Sequence, residues 1–370
     1  MTLNVSYAQT AKSAAQVAVE ELRTQLGSDP LDAVIFYCDP RHDLDALGPA
    51  IKAGFDCPVI GCTASGQIGP NGFLATGILA AGLRGGDLRM RPHLISPLSD
   101  ETACASSVAD TVQSMVVRSD MEFSFGLLLV DGLSMREEQL AASLYQALGN
   151  VPLIGGSAGD NLQFRQTHVY FDGHFQQNAA VLAQFECEKP CASFKFQHFV
   201  PSEIDLVITE ADPEQRLIIE IDGEPAAQAY ADAIGLSPDQ LDANVFSTHP
   251  LLMTMGGDPY VRSIQQANKD GSLTCYCAVD EGRVISVGKA VDVMKTLEEA
   301  FDGVRETVPE PALILGCDCI LRRVEFEQNA MLDPVGQFMA SRKVFGFSTY
   351  GEQFNGLHIN QTFTGIAIGA

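Results

Sequence analysis

The sequence predicts an α/β fold of two modules, each made of repeated β-α-β-β units with mixed sheets flanked by helices. Three observations carry that prediction. One pattern recurs three times along the 370 residues, apolar strands alternate with helix-length amphipathic segments, and each repeat closes on a short glycine-rich turn. A chain of this length suits about two domains. Its 46% hydrophobic and 19% charged residues are the balance of a packed globular protein.

The N-terminal segment, 1–30, reads as an amphipathic helix with Ala14, Val17, Ala18 and Leu22 on one stripe. The first repeat runs AVIFYCDP (Ala33 to Pro40), a helix near Leu44, Leu47 and Ile51, then PVIGCTASG (Pro58 to Gly66). The second runs FGLLLVDG (Phe125 to Gly132), a helix with Leu140, Leu144 and Leu148, then PLIGGSAGD (Pro152 to Asp160). The third runs ALILGCDC (Ala312 to Cys319), a helix around Val335, Phe338 and Met339, then KVFGFSTYGE (Lys343 to Glu352). From strand-terminal Asp to motif Gly is 22 residues (Asp39 to Gly61), 24 (Asp131 to Gly155) and 28 (Asp318 to Gly346). Strand-like alternation resumes after each turn.

Ser134-Met135-Arg136-Glu137 has the form of a capping box and predicts the start of the second helix. Asp222-Gly223 predicts a turn ahead of a helix starting near Pro225. The polar, proline-containing stretch Ile208 to Leu217 predicts a boundary near 200–220. The expected organisation is therefore a helix over 1–30, one module over 31–205 and a second over 206–370.

Charge and cysteine usage narrow the function. With 23 Lys+Arg against 47 Asp+Glu the net charge is −24, a field that repels phosphate backbones and anionic lipid. Nucleic-acid and membrane-surface binding are excluded on that ground, and a solvated acidic surface, or a basic protein partner, is expected. No apolar run approaches the ~20 residues that span a bilayer, and the N-terminus lacks a basic segment followed by an apolar one; a cytoplasmic protein is expected. Ten cysteines in that setting read as free thiols. The close pairs Cys187-x3-Cys191, Cys275-x-Cys277 and Cys317-x-Cys319 lack the doubled C-x2-C spacing of a structural zinc site.

Gly155-Gly156-Ser157-Ala158-Gly159 spells G-x-S-x-G, the form of a hydrolase nucleophile elbow. An elbow needs a helix after the serine, whereas a polar loop and a strand follow Ser157. Thr63 and Ser348 hold the matching place in the other repeats. The motif reads as architecture, with a serine hydrolase using Ser157 as the enzyme alternative and His168, Asp172 and His174 as nearby triad partners. Glycine here serves a turn or a close backbone approach, and turns rich in N–H groups can cradle an anionic ligand. Ser157, Ser348, Tyr350, Glu352 and Asn360 are the ligand-binding candidates. Cys317 and Cys319 end the third strand with Arg322 and Arg323 close behind, a pattern suited to a carboxylate ligand or to reactive thiols.

The three repeats, with GCDCILRR (Gly316 to Arg323), GFSTYGEQFNGLHINQT (Gly346 to Thr362) and IDGEPAAQAYADAIG (Ile221 to Gly235), resemble the FIST family of intracellular sensory proteins. The resemblance spans nearly the whole chain from about residue 30, with a FIST N module over 31–205 and a FIST C module over 206–370. FSTYGEQFNG and CDCILRR are most similar to the bacterial NosP-type branch of haem-binding nitric-oxide sensors. The resemblance implies a non-enzymatic sensor that binds a ligand and passes its state to a partner. That partner would be a histidine kinase of a two-component system, or a diguanylate cyclase or phosphodiesterase of cyclic-di-GMP signalling; a homo-oligomer is allowed. Haem would take a proximal histidine: His198, among Phe194, Phe196 and Phe199, comes first, then His249 and His358. Arg322 and Arg323 would hold the propionates. The family alternatives are a small ligand such as an amino acid, or an iron–sulfur or thiol redox sensor, with Cys317 and Cys319 as metal ligands beside His198.

Overall fold

The computed structural model describes residues 2–116, 121–149, 151–255 and 257–370. The fold is mixed α/β, as the sequence predicts, and each repeat proves larger than its β-α-β centre. An edge strand precedes that centre, and a hairpin and a returning strand follow. The first unit is β1 (Asn4–Thr10), α1 (Ala15–Leu26), β2 (Ala33–Cys38), α2 (Leu44–Gly54), β3 (Val59–Thr63), the hairpin β4 (Gln67–Gly69) and β5 (Gly72–Leu74), and β6 (Ile78–Arg84). The second is β7 (Arg89–Ile95), α3 (Glu101–Val116), β8 (Phe123–Val130), α4 (Glu137–Leu148), β9 (Leu153–Ser157), the hairpin β10 (Val169–Phe171) and β11 (His174–Gln176), and β12 (Ala180–Cys187).

The third unit begins at β13 (Cys191–Phe196) and is at once interrupted by an insert. The insert holds β14 (Phe199–Asp212), β15 (Leu217–Ile221), β16 (Glu224–Pro225), α5 (Ala226–Ala233), α6 (Ala243–Thr248), β17 (Leu251–Met255), β18 (Asp258–Arg262), β19 (Ile264–Ala267), β20 (Leu273–Cys275) and β21 (Val284–Ala290). The unit resumes with α7 (Val293–Thr307), β22 (Pro311–Cys319), α8 (Ile320–Gln328), α9 (Leu332–Ser341), β23 (Val344–Thr349), the hairpin β24 (Glu352–Phe354) and β25 (Leu357–Ile359), and β26 (Phe363–Gly369).

Among the described residues each unit builds a six-stranded sheet with the same order: edge strand, returning strand, the parallel pair, then a hairpin. The hairpin is always borrowed. Sheet one takes β10–β11 from the second unit, sheet two takes β24–β25 from the third, and sheet three takes β4–β5 from the first. This cyclic exchange ties the three units into one body. Its sheets face a shared core through Ile35 and Tyr37, Leu127 and Leu129, and Leu313 and Leu315. The alternate residues, such as Val34 and Phe36 or Leu128 and Val130, pack under the helices outside. Burial on both faces is why these strands read as unbroken apolar runs.

The motif glycine answers to the parallel pair. A Cβ on Gly61, Gly155 or Gly346 would lie 2.5, 2.1 or 2.0 Å from the carbonyl oxygen of Phe36, Leu128 or Gly316, its partner on the neighbouring strand. Close backbone approach, not a left-handed turn, requires glycine there.

Several local expectations shift. Asn4–Thr10 form strand β1 rather than helix, because they complete the edge of sheet one against β6. In α1 the buried stripe is Ala15, Ala18, Val19, Leu22 and Leu26, and Val17 is 51% exposed. The capping box does not form: α4 starts at Glu137, with Arg136 at its N-cap, and Glu137 is instead drawn into an ion pair with Arg216. Ile208 to Asp212 end β14 and Leu217 starts β15, so the stretch is a hairpin turning at Pro213 to Arg216. Asp222 and Gly223, with φ of 53° and 81°, make the expected turn, and α5 follows Pro225. Register also corrects the third repeat. Asp318 lies opposite Ser348, as Cys38 lies opposite Thr63 and Val130 opposite Ser157, so Cys319 and not Asp318 matches Asp39 and Asp131.

Gly346→Ala is expected to lose about 1–3 kcal/mol in urea unfolding through overpacking. Gly303→Ala, at an exposed position of α7 with no atom within 4 Å of its added Cβ, is expected to gain about 0.5–1 kcal/mol.

Candidate functional site

The three turns after β3, β9 and β23 meet and bond directly to one another. Gly159 N donates to Thr63 O (3.0 Å), Ser65 N to Ser348 O (3.2 Å) and Ser157 N to Gly351 O (2.9 Å). Thr63, Ser157 and Ser348 are fully buried. Ser157 Oγ accepts from Gln353 Nε2 at 3.0 Å, and that amide also lies 3.1 Å from His358 Nδ1. Gln353 thus separates the serine from the histidine. Tyr350 donates its hydroxyl to Asp160, whose carboxylate also accepts the N–H groups of Phe164, Arg165 and Gln166. The turns form a closed junction.

A charged cluster lies beside that junction, built on α8, a helix the sequence reading did not anticipate. Because α8 starts directly from Cys319 at the end of β22, Asp318, Arg322 and Glu325 fall at helical spacing near one face. Arg322 Nε donates to Asp318 Oδ1 at 2.6 Å, and its Nη1 lies 2.8 Å from His198 Nδ1. His198 Nε2 sits 2.9 Å from both carboxylate oxygens of Glu325. The guanidinium packs over the rings of Phe196 at 4.4 Å and Phe326 at 5.0 Å. All four charged or titratable side chains are buried. Burial pushes Asp318 above the ordinary carboxylate range even though Arg322 pulls it back, and burial lowers His198 although Glu325 opposes that.

Glu352 stands nearby, fully buried, with Oε2 accepting from Thr362 N (3.1 Å) and Oγ1 (2.7 Å). Its Oε1, together with Asp318 Oδ2, Arg322 Nη2, Ser348 Oγ and Asn360 Oδ1, has no hydrogen-bond partner. Burial raises Glu352 well above the usual carboxylate range. Cys317 and Cys319 are also fully buried, and burial followed by the Glu352 carboxyl pushes both thiols up. Such thiols are unreactive.

On the solvent side of this cluster a cleft of about 190 Å³ opens between the third sheet and the insert. Lys195, Phe196 and Gln197 of the body form one wall, Asp258, Pro259 and Tyr260 of β18 the other, and Thr362 is at the base. Lys195 Nζ lies 3.9 Å from the centre of the Tyr260 ring, and Gln197 Nε2 donates to Pro259 O at 2.9 Å. Elsewhere the insert meets the body through Tyr276, whose ring packs near Phe164 (6.0 Å) and Tyr350 (6.1 Å), and through further polar contacts. Arg216 pairs with Glu137 and Glu138, both at 2.6 Å, and Ser263 Oγ donates to Gln361 Oε1 at 3.0 Å.

The structure brings together His198 and Arg322, and sets Ser348 beside Asp318. Arg323 turns away to Ser65 O (3.0 Å) and Glu327 (3.0 Å). His249 is exposed next to Thr248, and His358 is buried with Nε2 3.3 Å from Tyr276 O. The residues do not fit a haem in this arrangement. His198 and His358 have both ring nitrogens engaged, His249 is exposed, and none of the three lines the cleft. Among the described residues no three His, Cys, Asp or Glu side chains are grouped to hold a metal. Glu325, Lys195, Gln197 and Tyr260 were not anticipated. The Asp318-x3-Arg322-x2-Glu325 spacing was the available signal for the first, and nothing local marks the others because the insert assembles them.

Arg322→Met leaves Asp318 without its cation and His198 Nδ1 without its partner, and should cost about 3–5 kcal/mol in unfolding free energy; adding Asp318→Asn should recover part of it. Glu352→Gln tests the raised carboxyl. Its folded form gives up the proton at higher pH than the unfolded chain, which does so near 4.5, so wild-type stability falls as pH rises above that value. The variant should match wild type near pH 4 and be increasingly more stable toward pH 8.

Comparison with known proteins places this architecture. The chain is 22% identical over 298 residues to an uncharacterized protein of Methanocaldococcus jannaschii, covering 71% of this chain and 57% of that one. It therefore spans little more than half of that relative's length. Among solved structures, cyanuric acid hydrolase from A. caulinodans aligns at a TM-score of 0.29 and 10% identity, over 50% of this chain and 71% of that one. T. maritima PurL complexed with FGAR aligns at 0.22 and 11%, over 99% and 72%. Likenesses this weak carry no inference about chemistry. Among the described residues no helix is long and apolar enough to cross a membrane. Residues 32–224 match the FIST N domain and 226–355 the FIST C domain, the two meeting inside the insert just after the Asp222-Gly223 turn, and the chain belongs to the FIST family.

Proposed function

We propose that this chain is a sensor whose small, charged ligand enters the cleft between β13 and β18. FIST domains are sensor modules of signal transduction, and the cleft is where a ligand would change how two parts of the molecule fit. The observation that carries the reading is the shared wall: Lys195 and Phe196 belong to the third sheet, with Gln197 just after it, and Asp258 to Tyr260 to the insert. Lys195 and Asp258 offer opposite charges to a zwitterion of amino-acid size, and the volume lies below that of pockets for drug-sized molecules. The bound state would be read by a partner of the histidine-kinase class or by an enzyme of cyclic-di-GMP turnover.

Thermal unfolding with a panel of amino acids tests this. A ligand at about 100 times its Kd should stabilise wild type by about 2.7 kcal/mol, and Lys195→Ala should lose that gain. An unchanged gain in Lys195→Ala, or no gain from any member, overturns the reading. The visible spectrum of the purified protein tests the haem-dependent nitric-oxide alternative. A Soret band that shifts with nitric oxide and is lost in His198→Ala would replace the cleft with a haem site.

A further inference from the structure

The join between the second and third units holds two thiols in contact. β12 ends at Cys187, the chain turns through Glu188, Lys189 and Pro190, and β13 begins at Cys191. The turn brings the two sulfurs to 3.4 Å, and each also lies close to Lys189 O, at 3.3 and 3.4 Å. Cys187 is buried and Cys191 half-buried, so the pair is open on one side. Cys187 is as buried as Cys317 and Cys319, and it is the half-buried Cys191 that sets the pair apart from those sealed thiols.

We propose that Cys187 and Cys191 are a reversible dithiol–disulfide site oxidised by hydrogen peroxide or a small organic peroxide. The sulfurs need to approach by only ~1.4 Å to reach disulfide length, and the short turn between the two strand ends already holds them side by side. The hydrogen bond from the Cys191 thiol favours the thiolate of Cys187, lowering that group, while Cys191 is raised by the same bond and by burial. The nucleophile and its resolving partner are thus differentiated.

The chemistry balances. The Cys187 thiolate attacks one peroxide oxygen, the O–O bond breaks, and the departing oxygen leaves as water or alcohol after taking a proton. Cys187 then carries a sulfenic acid. The Cys191 sulfur gives up its proton and attacks the Cys187 sulfur, an S–S bond forms, the S–O bond breaks, and water leaves. The two sulfurs lose two electrons and the peroxide gains two. A disulfide closing so short a loop adds little through chain entropy, and an accessible one of this kind is readily reduced again.

The test uses the full chain with its ten cysteines. After brief peroxide treatment, two fewer thiols should be alkylated, and the peptide carrying Cys187 and Cys191 should be lighter by two hydrogens. Dithiothreitol should reverse both. In Cys191→Ser the disulfide should vanish and Cys187 should be trapped as a sulfenic acid by dimedone. Because that variant alters a packed strand end, wild type is also treated with phenylarsine oxide, which should protect these two thiols together from alkylation. Retention of all ten thiols after peroxide, a disulfide mapped elsewhere, or failure of the arsenical to protect the pair overturns the proposal.

Discussion

The body of this protein depends on how closely two parallel strands approach in each of its three units. Where β2 meets β3, β8 meets β9 and β22 meets β23, a carbonyl oxygen occupies the space a side chain would need. Glycine at 61, 155 and 346 removes the conflict, and the strands can run on side by side into their turns. The hydroxyl residue two positions later is then carried into the interior, where the three turns hydrogen-bond to one another. Each turn leads into a hairpin that completes a neighbouring sheet. A local steric requirement therefore becomes a global one, since no unit can finish its own sheet without the next.

Charge is handled differently inside and outside. Acidic residues outnumber basic ones two to one across the sequence, yet key internal joints are built around an arginine. Arg322 sits between Asp318, His198 and two aromatic rings, and Arg216 ties the insert to the start of α4. Arginine suits such places because its planar fork serves several acceptors at once and keeps its charge when buried. The polar atoms near Glu352 that lack partners mark the region as incompletely satisfied. Unpaired buried groups of this kind are uncommon in a packed core. The cleft lies at the edge of that region, and β13, which forms one of its walls, begins at the Cys187–Cys191 turn.

Much of the architecture was legible in the residues. The threefold repetition, the strands buried on both faces, and the Asp222-Gly223 turn all follow from periodicity and local backbone preference. The limits of that reading are equally physical. A capping box at Ser134 yields to the ion pair of Glu137 with Arg216, because a buried cation must be neutralised. Asp318 looked like a third copy of Asp39 and Asp131, but a one-residue offset puts its side chain on the other face of the strand and toward Arg322. Val17 has a plausible place on a helical stripe and nevertheless faces solvent, because the packing surface is set by β1 and α2 rather than by the helix itself.

By itself, then, the sequence determined the repeating unit, the recurring glycine near the end of each one and the place of Ser157 in a structural motif, since these depend on spacing and on the geometry of adjacent backbone. Tertiary structure decided which hairpin completes which sheet, that the third unit is interrupted by an insert, and that His198 spends both ring nitrogens on Arg322 and Glu325. It also decided that Lys195 faces Tyr260 across a cleft. Those pairings join residues from 60 to nearly 300 positions apart through contacts that carry no periodic signal, so they exist only once the sheets have exchanged their hairpins and the insert has closed over α8.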